Sequence, residues 1–222
     1  MCSDESFVDR AKAAFDRKGG SDDVALLRQY AECNRQFANL KSKRGRRYED
    51  CTFDNFQQVA PEQIKVVNRL REYASDSTDR ITNGLNVVLF GPSGTGKDHL
   101  LMALAREVAT QSGFVATWVN GSDFYDEMKR LTFNGFLDGS DYQTASVLWI
   151  SDPLPPSGML SEFQQSSLLR VVDYRYSQRK PIWVTLNVSD GEEAATRMGS
   201  QVVDRLRHGS LVCFCNWPSF RK

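Results

Sequence analysis

A short β-rich apolar run, Leu85-Asn-Val-Val-Leu-Phe90, leads directly into Gly91-Pro-Ser-Gly-Thr-Gly-Lys97, and a helical pattern opens at Lys97. Strand, glycine-rich turn and helix in that order make a phosphate-binding loop. The glycines Gly91, Gly94 and Gly96 let the main chain curl, so that several N–H groups point inward at phosphate oxygens. The N-terminus of the following helix adds partial positive charge, and Lys97 supplies a full charge for the β- and γ-phosphates. Gly91, Pro92, Ser93, Gly94, Thr95, Gly96 and Lys97, with Asp98 after them, are therefore the expected triphosphate site.

Two positions depart from the usual pattern. The residue after the lysine is ordinarily Ser or Thr, whose hydroxyl binds Mg²⁺; here it is Asp98. A carboxylate is a stronger Mg²⁺ ligand than a hydroxyl, but it repels phosphates when the metal is absent. The second departure is in Val147-Leu-Trp-Ile-Ser-Asp-Pro153. In ATPases with this loop, a second apolar strand ends in two acids, one holding Mg²⁺ and one polarising the attacking water. Aligned on the four apolar residues, the first acid is replaced by Ser151 and the second is Asp152.

The rest of the chain alternates strand and helix patterns. Strands are expected at Phe114–Val119, Val147–Ile150, Pro181–Leu186 and Leu211–Cys215, besides the one before the loop. Helices are expected at Pro61–Tyr73, from Lys97 to about Gln111, and at Asp123–Leu131 with Ser122 as cap. Others follow at Ser161–Gln178 and Gly199–Arg207. Such alternation means a three-layer α/β fold on a five-stranded parallel sheet. Upstream, Phe7–Arg17 reads as a helix and Gly19-Gly20 as a break. An amphipathic helix starts at Ser21 with apolar positions Val24, Leu27, Tyr30, Phe37 and Leu40. The basic run Lys41-Ser-Lys-Arg-Gly-Arg-Arg47 reads as a solvated linker or a nucleic-acid phosphate contact. The expected division is a helical N-terminal region and linker, 1–47, and an ATPase domain, 48–222.

Lys+Arg and Asp+Glu number 28 each, so global charge argues for no nucleic-acid partner and any such contact needs a local patch. The N-terminal MCSDESFVDR is polar and acidic, unlike a signal peptide, and no apolar run reaches the ~20 residues of a membrane helix. A cytoplasmic location without membrane contact is the expectation. The five cysteines are widely spaced, and only His99 and His208 accompany them, so buried free thiols are expected rather than a zinc site.

The chain resembles the DnaC/IstB group of AAA+ ATPases, in particular the DnaC-like replicative helicase loaders, from about Tyr48 to Arg221. The resemblance is carried by Tyr48-Glu-Asp-Cys-Thr-Phe-Asp-Asn-Phe56, Gly94-Thr-Gly-Lys-Asp-His-Leu100, Val172-Asp-Tyr-Arg-Tyr176, Val203-Asp-Arg-Leu-Arg207 and Asn216-Trp-Pro-Ser-Phe-Arg221. It implies ATP and Mg²⁺ as cofactors and self-association through the ATP interface. It implies that Asn187 orients the attacking water, beside Asp152 as the polarising group. Arg205 is implied as an arginine finger reaching a neighbouring subunit's γ-phosphate, with Arg207 as its rival. No helical C-terminal lid is expected.

In that fold the residue after the lysine and the first acid face the same ion. Asp98 and Ser151 are then the usual hydroxyl and carboxylate with positions exchanged, so that Asp98, Ser151 and Asp152 are the expected metal site. The alternative is decay, leaving a protein that binds nucleotide and hydrolyses it poorly. The stretch Phe124–Phe136 corresponds to the part of loaders that lines a single-stranded DNA channel. Its Lys129, Arg130, Phe133 and Phe136 suit phosphate contact and base stacking, while Phe124, Met128 and Leu131 have core spacing. The implied function is ATP-dependent loading or remodelling of a replicative DNA helicase on single-stranded DNA. Two alternatives stand beside it: an IstB-like transposition helper, and a nucleotide-dependent interaction module with little hydrolysis. The N-terminal helices either grip the helicase or dock on the ATPase core.

Overall fold

The structure, a computed structural model, describes residues 6–17, 21–135 and 140–221. Helices α1 (Phe7–Arg17) and α2 (Ser21–Arg44) come first, then a 3-10 turn at Arg46–Tyr48. The core follows as α3 (Pro61–Ser75), α4 (Ser77–Thr82), β1 (Asn86–Phe90), α5 (Lys97–Ser112), β2 (Ala116–Asn120) and α6 (Gly121–Asn134). It continues as α7 (Asp141–Thr144), β3 (Val147–Ser151), α8 (Glu162–Ser177), β4 (Ile182–Leu186), α9 (Gly191–Met198), α10 (Ser200–Arg207) and β5 (Ser210–Phe214). The five strands are parallel in the order β2-β3-β4-β1-β5.

Residues alternate between the sheet's two faces because successive side chains of a strand point opposite ways. Val87, Leu89, Trp149 and Trp183 join one core with α1, α2, α3 and α5. Val88, Leu148, Ile150 and Val184 join the other with α6, α8, α9 and α10. Cys213 and Cys215 share the first face, as their spacing requires. This is the expected three-layer α/β P-loop fold.

The basic run at 41–47 is not a linker. α2 continues through Arg44, and Gly45, at φ 85, ends it. Arg46–Tyr48 then make the 3-10 turn. α2 lies against β2 and α5, and Phe7, Cys33 and Leu40 are buried with the sheet residues. The N-terminal apolar face therefore docks on the α/β core. The Gly19-Gly20 break falls outside the described residues. Ser122 is not the cap of α6: the helix starts at Gly121, and Asn120 Oδ1 accepts from the Asp123 N–H at 2.9 Å. The helices α4, α7 and α9 were not legible in the pattern, each being 8 residues or shorter.

Candidate functional site: a phosphate loop with an exchanged acid pair

The loop between β1 and α5 is built as its glycines require. Gly91, Gly94 and Gly96 have φ of 139, 81 and 82°. A Cβ on Gly91 would stand 2.5 Å from the Cys215 carbonyl oxygen, so a side chain is excluded by backbone as well as by conformation. The C-terminal segment closes over the loop's outer side. The Phe220 N–H donates to Gly94 O at 2.9 Å, and Trp217 Nε1 donates to Thr95 O at 2.9 Å. Beside the loop lies a cleft of about 340 Å³, lined among others by Tyr48, Phe56, Lys97, His99, Phe220 and Arg221.

Lys97 is folded into this loop. Its Nζ donates to Gly91 O, Pro92 O and Asn187 Oδ1, each at 2.8 Å. Burial pulls its pKa down, while Asp152 and Asp98 oppose that. Asn187 follows β4 and turns its Nδ2 to Asp152 Oδ1 at 2.8 Å. Lys97, Asn187 and Asp152 are thus one hydrogen-bonded row across the ends of β1, β4 and β3. Asp152 has φ 48 and donates its N–H to Thr185 O at 3.1 Å. A non-glycine residue in that region is uncommon and marks a place where tertiary contacts hold the backbone.

Asp98 and Ser151 face each other. Ser151 Oγ donates to Asp98 Oδ1 at 2.8 Å and accepts from Trp118 Nε1 at 2.9 Å. Thr185 Oγ1 also donates to Asp98 Oδ1, at 3.4 Å. Burial, and then the charge of Asp98, push the Asp152 carboxyl up to about 6. Two carboxylates and a hydroxyl converging beside a phosphate loop are the hard-oxygen donors Mg²⁺ takes. A divalent cation there would relieve the repulsion that lifts Asp152. The donor set fits the ion.

Arg205 lies on α10, away from its own chain's cleft, in an ion pair with Asp173 and with Nη1 donating to Gln201 O at 3.1 Å. Lys129, Arg130 and Phe133 stand exposed on α6, Phe133 91% so, and Arg130 pairs with Glu127. Phe124, Met128 and Leu131 are core residues. Phe136 lies outside the described residues.

Several site residues were missed from sequence. Thr185 gives no motif signal. Arg221 belongs to the terminal stretch Asn216–Arg221 that carries the resemblance, and it lines the cleft. Arg44 sat in the supposed linker, and its side chain is 4% exposed with Nη2 3.5 Å from Asp98 Oδ2.

The family model described as IstB-like ATP binding protein matches residues 23–222. The chain belongs to this family. The IstB-like protein is 27% identical over 184 residues to the replicative helicase loader DnaC of Buchnera aphidicola subsp. Acyrthosiphon pisum, covering 79% of this chain and 71% of that one. It is also 27% identical over 178 residues to the IS5376 insertion-sequence protein of Geobacillus stearothermophilus, named as ATP-binding, covering 77% and 67%. Among solved structures, a DnaC helicase loader superposes with TM-score 0.69 at 21% identity, covering 77% of this chain and 99% of that one. AMPPCP-bound DnaA from Aquifex aeolicus superposes with TM-score 0.58 at 20% identity, covering 73% and 50%. These likenesses establish the AAA+ fold, and the family establishes nucleotide binding. Among the described residues no helix is long and apolar enough to cross a membrane.

Proposed function

We propose that this IstB-like protein is an ATPase that loads or remodels a replicative DNA helicase on single-stranded DNA. The observation that carries the ATPase reading is the row Lys97–Asn187–Asp152 at the mouth of the phosphate loop. The inward N–H groups and Lys97 hold the triphosphate. Bound Mg²⁺ would supply charge neutralisation at the β- and γ-phosphates, held by Asp98, Ser151 and Asp152. Asn187 orients the attacking water, and Asp152 polarises it. Arg205, outside its own cleft, completes the site of a neighbouring copy, so hydrolysis requires assembly. Residues 48–222 form the ATPase domain, and residues 1–47 form the N-terminal region carried on it. Lys129, Arg130 and Phe133 offer the strand cation and stacking contacts.

The helicase as partner is supported by the DnaC relatives. Phosphate release is to be measured with single-stranded DNA and with the replicative helicase of the same cell, together with co-purification of the two proteins. Stimulated turnover and nucleotide-dependent capture are expected. Nucleotide binding without helicase capture, accompanied by capture of a transposase, would replace this reading with that of a transposition helper, which the insertion-sequence relative supports.

A further inference from the structure

The most unusual group beside the phosphate loop is Arg44. It is carried by the last turn of α2, and Gly45 ends that helix so that the 3-10 turn brings Tyr48 back beneath the guanidinium. The Arg44 guanidinium carbon lies 3.9 Å from the Tyr48 ring centroid, 4.5 Å from Trp118 and 4.7 Å from Trp149. An aromatic box holds a cation by its ring faces but supplies no acceptor for the N–H groups. Nε and Nη2 are buried and hydrogen-bonded to nothing. Arg175, fully buried, shares an unbonded Nε, but both its Nη atoms donate to backbone carbonyls. Arg44 therefore lacks the bonding of an arginine that only fills space. The anion it faces is Asp98, at 3.5 Å.

We infer that Arg44 is the counter-ion of Asp98 and that, acting through Asp98, it allows the phosphate loop to bind a nucleoside triphosphate without a divalent cation. Asp98 stands directly after Lys97, where an uncompensated carboxylate repels the phosphates. Arg44 offsets that charge at Asp98 Oδ2, the oxygen that Ser151 and Thr185 leave free. Trp118 serves both groups: its ring face lies against Arg44, and its Nε1 donates to Ser151 Oγ, which donates to Asp98. The carboxylate is thereby held toward the guanidinium. Arg44 is a positioning and charge-balancing residue whose nearest anion is Asp98. The inference rests on the nucleotide-binding reading of the loop.

The test is a double-mutant cycle read as the affinity for N-methylanthraniloyl-ATP, in EDTA and in saturating Mg²⁺. Arg44→Gln is expected to weaken binding in EDTA by about tenfold or more, because it leaves Asp98 near the phosphates without its cation. In Mg²⁺ the loss is expected to shrink, since the metal then neutralises the carboxylate. In an Asp98→Asn background Arg44→Gln is expected to change metal-free affinity by about twofold or less. Arg44→Lys, which keeps the charge and loses the stacking, is expected to keep most of the affinity even as its melting temperature falls. Equal losses from Arg44→Gln in both backgrounds, or equal losses from Gln and Lys, would overturn the inference while leaving the ATPase reading intact. No binding by the unmodified protein in either condition would overturn both.

Discussion

Asn187 Oδ1 accepts a 2.8 Å hydrogen bond from Lys97 Nζ across 90 residues of sequence, while its Nδ2 donates to Asp152 at 2.8 Å. One amide thus links the phosphate-binding cation to the carboxylate beside it. The amide's two ends differ in hydrogen-bonding sense, so only Asn or a similar group satisfies both partners.

Two outcomes follow from that amide's position. Lys97→Ala removes the full charge at the loop and is expected to weaken ATP binding by about 2–3 kcal/mol, some 30- to 150-fold. Asn187→Ala leaves Lys97 in place, so binding is expected to hold within about threefold while turnover falls by about 10²-fold or more. Titration with a fluorescent ATP analogue and phosphate-release kinetics separate the two. Equal effects of Asn187→Ala on binding and turnover would show that the amide serves only to place the lysine.

The exchanged pair predicts a rescue. Asp98 and Ser151 are 2.8 Å apart, oxygen to oxygen. Asp98→Ser alone is expected to abolish the gain in ATP affinity that Mg²⁺ provides, a change of about tenfold or ~1.4 kcal/mol. Asp98→Ser combined with Ser151→Asp restores the ordinary order and is expected to recover most of that gain. Calorimetry with and without Mg²⁺ reads both. A double variant as weak as the single one would mean that the two positions do not share an ion.

Arg175 predicts a large stability cost far from the chemistry. It is fully buried, and its guanidinium bonds the carbonyls of Tyr142, Ala145 and Pro181 at 2.8 to 3.0 Å, tying α7 and the start of β4 to α8. Arg175→Met fills much of the volume but strands those carbonyls. A loss of about 3 kcal/mol or more is expected by urea unfolding. A loss under about 1 kcal/mol would mean that water replaces the guanidinium.

The buried thiols predict an alkaline limit. Cys33, Cys51, Cys213 and Cys215 are all buried and free. Burial pushes the Cys213 thiol up to about 11 and the Cys215 thiol up to about 12. The folded state therefore holds neutral thiols that the unfolded chain ionises near 9. Stability is intact below that value and is lost as pH rises toward the folded values, by up to about 1.4 kcal/mol per thiol per pH unit. The urea midpoint is expected to stay level from pH 7 to 8.5 and to fall by pH 10, less so in Cys215→Ala. Iodoacetamide at pH 8 is expected to leave these four cysteines unlabelled until the protein unfolds. Labelling of Cys213 or Cys215 in the folded protein would contradict the burial.

The legible parts of this molecule are those set by short stretches of chain. The phosphate loop, the helix opening at Lys97 and the alternation of strands and helices could be read directly, because each depends on local conformation and on hydrophobic period. Even the facing of Asp98 and Ser151 follows once β1 and β3 are known to flank one strand and end on the same edge of the sheet, and the family resemblance carried that. Arg44 could not be read this way. Its run of lysines and arginines has the composition of a solvated linker, and only docking of α2 against β2 buries the last turn among Tyr48, Trp118 and Trp149. The short helices α4, α7 and α9 were missed for a related reason: too few residues repeat to show a period, and tertiary contacts stabilise them.

The amino-acid sequence by itself determined that a glycine-rich turn between strand and helix would bind phosphate, and that the sheet would be parallel. Backbone conformation and side-chain alternation respond to immediate neighbours, so a linear reading suffices. Only the tertiary structure decided which distant groups share the site: Asn187 on Lys97, Thr185 on Asp98, the C-terminal segment over Gly94, and Arg44 opposite the carboxylate. Charge interactions act through space over a few ångströms, and separation along the chain does not report that distance.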